Sequence, residues 1–240
     1  MKVVDLKTFF EKIEHDWTKD REALETICKF TKTRVNDHAE EFQFTAGSEQ
    51  TFFMKALAEH VGAKNFFEIG TGRGTACYAI SLLPTIEKIV TIDIIPFEKK
   101  YDTAINFKPA HVSNKDLYDF IPFKEKQKIS FKGREGLREE LELGEGKYDL
   151  CFIDGNHSDP RIIVEDYYYC SKLLKEDGII VFDDYHPQKF AVKSVVDRIA
   201  SKNDDGLKFY LSINSGHLFP GATAAKDYGM VIVTKRDLGF

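Results

Sequence analysis

From residue 65 onward, short apolar runs of β type alternate with helical stretches, and this alternation restricts the fold more than any other feature of the sequence. The runs fall at 65–69, 89–92, 128–131, 149–153 and 179–182. Helical patterns at 75–83, 134–143, 160–174 and 189–201 separate most of them. Such alternation implies right-handed βαβ crossovers and a parallel sheet covered by helices on both faces. FFEI, CFI and IIVF are almost continuously apolar, as strands buried on both sides are. Residues 207–211 and 228–234 read instead as two strands joined by a loop holding Gly216, Pro220 and Gly221, so at least one of them should run antiparallel. The stretch 96–127 is the least readable, because Pro109 and Pro122 break any long helix.

The first 64 residues precede any expected strand. Leu6, Phe9, Phe10, Ile13, Trp17, Leu24, Ile27 and Phe30 recur at helical spacings, and a further helix is expected over 48–61, with Gly62 ending it. The expected division is a helical extension over 1–64 and an α/β domain over 65–240. For the extension two jobs are open: a lid over the ligands, or the surface of a homodimer. A chain of 240 residues suits one such domain with an accessory segment. A net charge of -5 argues against nucleic acid as a partner, whose phosphates call for clustered Lys and Arg. No apolar run approaches the roughly 20 residues that span a bilayer, and no basic-then-apolar leader opens the chain. A soluble, cytoplasmic protein is expected. Cys28, Cys77, Cys151 and Cys170 form no CxxC pair and read as buried thiols in a reducing compartment.

Glu68-Ile69-Gly70-Thr71-Gly72-Arg73-Gly74 places three glycines between a buried strand and a helix. Glycine lets the chain turn sharply and a ligand touch the backbone, while the helix start offers unpaired amides to a carboxylate or phosphate. Nineteen residues beyond Gly74 the next strand ends at Asp93, where a carboxylate can take both hydroxyls of a ribose. This architecture suits a dinucleotide or S-adenosylmethionine. The spacing GxGxG, with Thr75 in the third glycine's place of GxGxxG, and an acid at Glu68 both disfavour pyrophosphate. Read structurally, the loop is a turn with Glu68 capping nearby amides; taken with Asp93, the set favours a cofactor site.

Two later strands also end in acids: KYDLCFIDGNH gives Asp154 and His157, and DGIIVFDDYHP gives Asp183, Asp184 and His186. All carboxyl ends of a parallel sheet lie on one edge, the edge where ligands bind. If these two strands are neighbours, about 4.8 Å apart, Asp154, Asp183 and Asp184 converge beside the cofactor. Three carboxylates that close repel one another unless a cation is present, and all-oxygen ligation favours Mg²⁺. A metal there could lower the pKa of an acceptor hydroxyl, with His157 taking the proton. Structurally, the same acids cap helices and begin turns, Asp159-Pro160 reads as a helix start, and His186 and His217 read as loop residues.

Together these segments resemble the class I S-adenosylmethionine-dependent methyltransferases. The branch most similar is that of small-molecule O-methyltransferases typified by macrolide sugar and cephalosporin-biosynthesis enzymes, with catechol O-methyltransferase more distant. The resemblance covers 47–235 and rests on EIGTGRG, Asp93, Asp154-Gly155-Asn156-His157 and VFDDYHP. It implies a Rossmann-like, seven-stranded, mostly parallel sheet with an antiparallel last strand. It implies donor contacts from Glu68, Gly70, Thr71, Gly72, Gly74, Asp93 and Asp154. In metal-dependent members the acids matching Asp154, Asp183 and Asp184 hold Mg²⁺, and the histidine matching His157 serves as base. The chain departs at Gly133-Arg134-Glu135, which leaves the adenine contact open between Arg134 and Glu135. The expected activity is O-methylation of a small hydroxylated molecule. Alternatives are a metal-independent N- or protein methyltransferase, an NAD-dependent oxidoreductase, or a non-catalytic cofactor-binding subunit.

Overall fold

The computed structural model describes residues 2–31, 42, 44, 46–105, 108–120, 124–186, 189–202, 206–213, 218–219 and 229–239. His217 and Pro122 lie outside the described residues. The elements run β1 (Lys2–Asp5), α1 (Leu6–Lys12), α2 (Arg21–Thr31), α3 (Ala46–His60), β2 (Asn65–Ile69), α4 (Thr75–Ser81) and β3 (Lys88–Ile92). Next come β4 (Tyr101–Ile105), β5 (Lys108–Val112), α5 (Asn114–Phe120), β6 (Ile129–Lys132), α6 (Gly136–Glu142) and β7 (Tyr148–Ile153). The chain closes with α7 (Pro160–Leu173), β8 (Leu174–Tyr185), α8 (Val192–Ser201), β9 (Lys208–Ile213) and β10 (Gly229–Thr234).

The main sheet has the order β1-β9-β10-β8-β7-β2-β3-β6. Strand β10 is antiparallel to both neighbours, and every other pairing in this sheet is parallel. Seven strands thus match the expected α/β sheet with its last strand reversed. Strand β1 is an addition: the segment expected to be helical does form α1–α3, but it begins as an eighth strand on the edge of β9. Residues 96–127 hold a second surprise, the separate hairpin β4–β5, in which Pro109 lies. A two-stranded ribbon gives Pro an outward edge, so the residue that excludes a helix permits this strand.

The period of two along each strand divides the core into two layers. Phe66, Leu150, Phe152 and Val181 pack with α1–α4, while Phe67, Cys151, Ile153 and Phe182 pack with α6–α8. The N-terminal helices therefore share a core with the sheet. Glu49 of α3, fully buried, accepts from the Leu218 amide at 2.9 Å, and Phe219 lies edge-on to Trp17 and Phe52. Helix α7 starts as its sequence requires: the Asp159 side chain accepts from the Arg161 amide at 2.9 Å and Pro160 fills the first turn. All four cysteines are buried and unbridged, as expected. Among the described residues no helix is long and apolar enough to cross a membrane.

Chain order along the sheet reverses at β2, which pairs with β3 on one side and β7 on the other. A crevice opens at the carboxyl edge of such a switch point.

Candidate active site

The glycine loop leaves β2 into this crevice. Gly70 has φ +98°, and a Cβ there would stand 2.0 Å from the Asp154 carbonyl oxygen, so only glycine lets β2 and β7 end side by side. Gly74, φ +76°, caps α4, and a Cβ there would meet the Tyr78 ring. Gly72, φ +50°, has nothing within 4 Å of its Cβ position and faces open space.

Asp93 ties the loop to the next strand. It accepts from the Gly72 amide at 2.9 Å and from the Ile95 amide at 2.8 Å. Glu68 is buried in β2 and accepts from the Thr91 hydroxyl at 2.5 Å; Thr91 and Thr71 share a further hydrogen bond of 2.7 Å. This chain of polar groups fixes Thr71 at the head of the loop.

Two cavities meet at the loop, and both are lined by Gly70, Gly72 and Asp154. The inner one, about 260 Å³, adds Glu68, Thr71 and Arg73, with Thr31 of α2 and Gln50 of α3. The outer one, about 480 Å³, adds Asp93, Arg134 and His157 and the apolar side chains of Ile94, Ile95 and Ile162. Arg134 reaches it while paired with Glu165 at 2.8 Å and with the fully buried Asp166 at 2.6 Å. Burial pushes the Asp166 carboxyl up to about 6 against the pull of Arg134. Glu135 is exposed and lines neither cavity.

Strands β7 and β8 are neighbours, so the condition for convergence of their acids is met. Between the pairs Phe182–Val231 and Tyr185–Gly229, β8 carries two residues against one in β10, a bulge at Asp183–Asp184. Asp184 takes φ +58°, a conformation Asp tolerates better than most residues. The bulge separates the two acids. Asp183 accepts from Gln50 Nε2 at 2.5 Å, whereas Asp184 contacts His157 Nδ1. Ligand atoms of Asp154, His157 and Asp184 all lie within 4.8 Å of one another, and Asp183 lies outside that group. The hydrogen bond to Asp184 raises the His157 pKa above the ordinary histidine value, against the desolvation that would lower it. His186 accepts from the Lys189 amide at 3.1 Å and remains a turn residue.

Several lining residues carry no motif. Gln50 and Thr31 come from helices whose pattern announces only core packing. Ile94 and Ile95 offered a faint clue, two apolar residues directly after Asp93; they are 78% and 41% exposed. Arg73 sat unremarked inside the glycine motif.

A sheet of this order, with a glycine loop at its switch point and an acid closing the next strand, is the architecture of the S-adenosylmethionine-dependent methyltransferases. Residues 14–203 match the O-methyltransferase family model, and the chain belongs to that family. Tapetum-specific methyltransferase 1 of Arabidopsis thaliana is 29% identical over 170 residues, 70% of this chain; the match spans 65% of that relative's length. The fold is similar to the O-methyltransferase TomG of Streptomyces achromogenes, solved with S-adenosylmethionine, at TM-score 0.59 and 16% identity over 89% of each chain. It is also similar to an O-methyltransferase of Bacillus cereus solved with S-adenosylhomocysteine, at TM-score 0.56 and 14% identity over 89% of this chain and 91% of that one.

Proposed function

We propose that the enzyme methylates a hydroxyl oxygen of a small molecule, with S-adenosylmethionine as donor and Mg²⁺ assisting. The observation that carries this reading is the division of the site into a charged inner cavity and an apolar-walled outer one, joined at Gly70 and Gly72. The donor has the same division, an amino-acid end and a nucleoside end. Asp93 accepts the ribose hydroxyls on lone pairs its two backbone bonds leave, since a carboxylate offers about four acceptor sites. Glu68 and Asp154 supply negative charge for the ammonium group. Ile94, Ile95 and Ile162 flank the base, and of Arg134 and Glu135 the first is the adenine neighbour. Thr31 and Gln50 make the N-terminal helices a wall of the donor pocket, which favours the lid over the dimer surface.

Asp154 and Asp184 present oxygen donors close enough to share a hard cation, with His157 as the third group within reach, while Asp183 is turned to Gln50. When bound, Mg²⁺ would make the acceptor hydroxyl more acidic. His157, oriented by Asp184, accepts the proton once it is itself neutral, which its raised pKa moves toward higher pH. The acceptor oxygen forms its bond to the methyl carbon as the carbon–sulfur bond breaks, and sulfur keeps the pair. A second reading has a specific observation behind it: the His157–Asp184 contact makes a carboxylate-oriented base that needs no cation.

Calorimetry should show micromolar binding of S-adenosylhomocysteine and none of NAD; the reverse would make the protein an oxidoreductase. Turnover of a panel of small hydroxylated acceptors should fall at least tenfold in EDTA and return with Mg²⁺. Asp154→Ala should lose the metal-stimulated rate altogether, while donor binding weakens but persists through Glu68 and Asp93. Activity indifferent to EDTA would leave the His157–Asp184 base acting alone, or an acceptor nitrogen or protein.

A further inference from the structure

Arg73 is the one basic side chain among the described residues that line the inner cavity, and the reaction proposed above gives it no task. Its guanidinium Nη1 donates to the Ala104 carbonyl of β4 at 3.4 Å. Ala104 is 1% exposed, and β4 packs on α2, whose last residue, Thr31, lines the same cavity. The hairpin β4–β5 thus holds Arg73 at the wall of the proposed donor pocket. Burial raises the pKa of the Tyr101 hydroxyl, at the start of the hairpin, and the same guanidinium offsets part of that rise.

We propose that Arg73 receives the α-carboxylate of the methyl donor, with hairpin β4–β5 as the support that aims it. The assignment rests on the donor reading above and concerns one end of that ligand. An amino-acid end brings one positive and one negative group into the inner cavity. Glu68 and Asp154 are carboxylates and attract only the ammonium, so without a cation the donor carboxylate would face two acids across a small, half-enclosed space. Helix α4 is short, seven residues, and its uncapped first amides offer only partial positive charge, short of a full cation. A guanidinium is a planar fork of five N–H donors, able to hold a strand carbonyl and a carboxylate together. Lysine, a point charge on a flexible stem, would not replace it fully.

The test compares ligands that differ at this group alone. Dissociation constants are measured by calorimetry for S-adenosylhomocysteine and for its decarboxylated counterpart, with the native protein, Arg73→Gln and Arg73→Lys. The native protein should prefer the carboxylated ligand by about tenfold or more, the scale of a charge-assisted hydrogen bond. Arg73→Gln should erase that preference while binding the decarboxylated ligand within about twofold of the native protein, and Arg73→Lys should restore part of it. Equal weakening toward both ligands would make Arg73 a structural brace and overturn the assignment, as would a native protein that does not distinguish them. A native protein that binds neither ligand would remove the donor reading itself, and this assignment with it.

Discussion

Gly70 and Gly72 stand two residues apart with the same left-handed backbone, yet substitution at each should fail differently. At Gly70 a methyl group collides with the Asp154 carbonyl, so Gly70→Ala must push β2 and β7 apart as well as bear a backbone penalty of about 1–2 kcal/mol. At Gly72 the added methyl meets nothing, and Gly72→Ala bears the backbone penalty alone. Thermal unfolding should therefore show a clearly larger loss for Gly70→Ala. Gly72→Val, stable enough to purify, should still bind no S-adenosylhomocysteine, because its side chain fills the space the ligand approaches through. Far from the site, Glu140 illustrates a charge that serves the fold. It is 1% exposed and accepts from the Tyr148 hydroxyl at 2.5 Å, with Lys132 at 3.0 Å and Lys147 at 3.1 Å. Burial pushes its carboxyl up, but these partners outweigh burial and hold it at about 2, below the 4.5 of a free side chain. The sign follows from linkage: a depressed carboxylate stabilises the fold fully above about pH 4.5, and the contribution fades as pH falls toward 2. Glu140→Gln should be less stable than the native protein at pH 7, with the gap in denaturant midpoint closing below pH 4.5. A gap that stays constant over that range would assign the effect to packing.

At the scale of elements, the strand β1 joins an edge by alternate burial. Val4 is 6% exposed within the core and Val3 is 58% exposed, so Val4→Asp should cost about 2 kcal/mol and Val3→Asp almost nothing. Equal effects in urea titration would mean that β1 does not hold this register. The strand was not legible beforehand because four residues, KVVD, carry too little pattern to separate from the helix they precede. The central strands were legible for the opposite reason. FFEI and CFI are apolar at every position but one, and a run buried on two faces announces itself. Their acids were legible too, since a carboxylate at the end of such a run has few places to go but the crevice. What the pattern did not show is how the bulge in β8 parts Asp183 from Asp184, because a bulge depends on the register of β10, a strand forty-odd residues later. The hairpin β4–β5 was hidden by Pro109 and by polar composition, and with it the contact between Arg73 and Ala104. Gln50 and Thr31 were hidden by a different cause: a helix face shows which residues are buried, and never which cavity they border.

Across the whole molecule, the proposed donor pocket is the place where segments distant in sequence meet. Its walls come from α2 and α3, the glycine loop, the end of β3, the turn before α6 and the segment leaving β7. A ligand there touches segments from both sides of the sheet. Anything that binds the folded state alone stabilises it, by about 2.7 kcal/mol at a hundred times its dissociation constant. Saturating S-adenosylhomocysteine should therefore raise the unfolding temperature, and it should do more than that. Because Thr31 ends α2 and Gln50 opens the first turns of α3, amide exchange should slow at those helix ends as well as at Gly70, Gly72 and Asp93. If α2 and α3 served a homodimer surface and only happened to lie near the cavity, ligand would protect the loop and the strand ends while those helix ends exchanged at their ligand-free rates. Exchange measured at several protein concentrations separates the two cases, since protection that comes from a dimer follows concentration and protection that comes from the ligand does not.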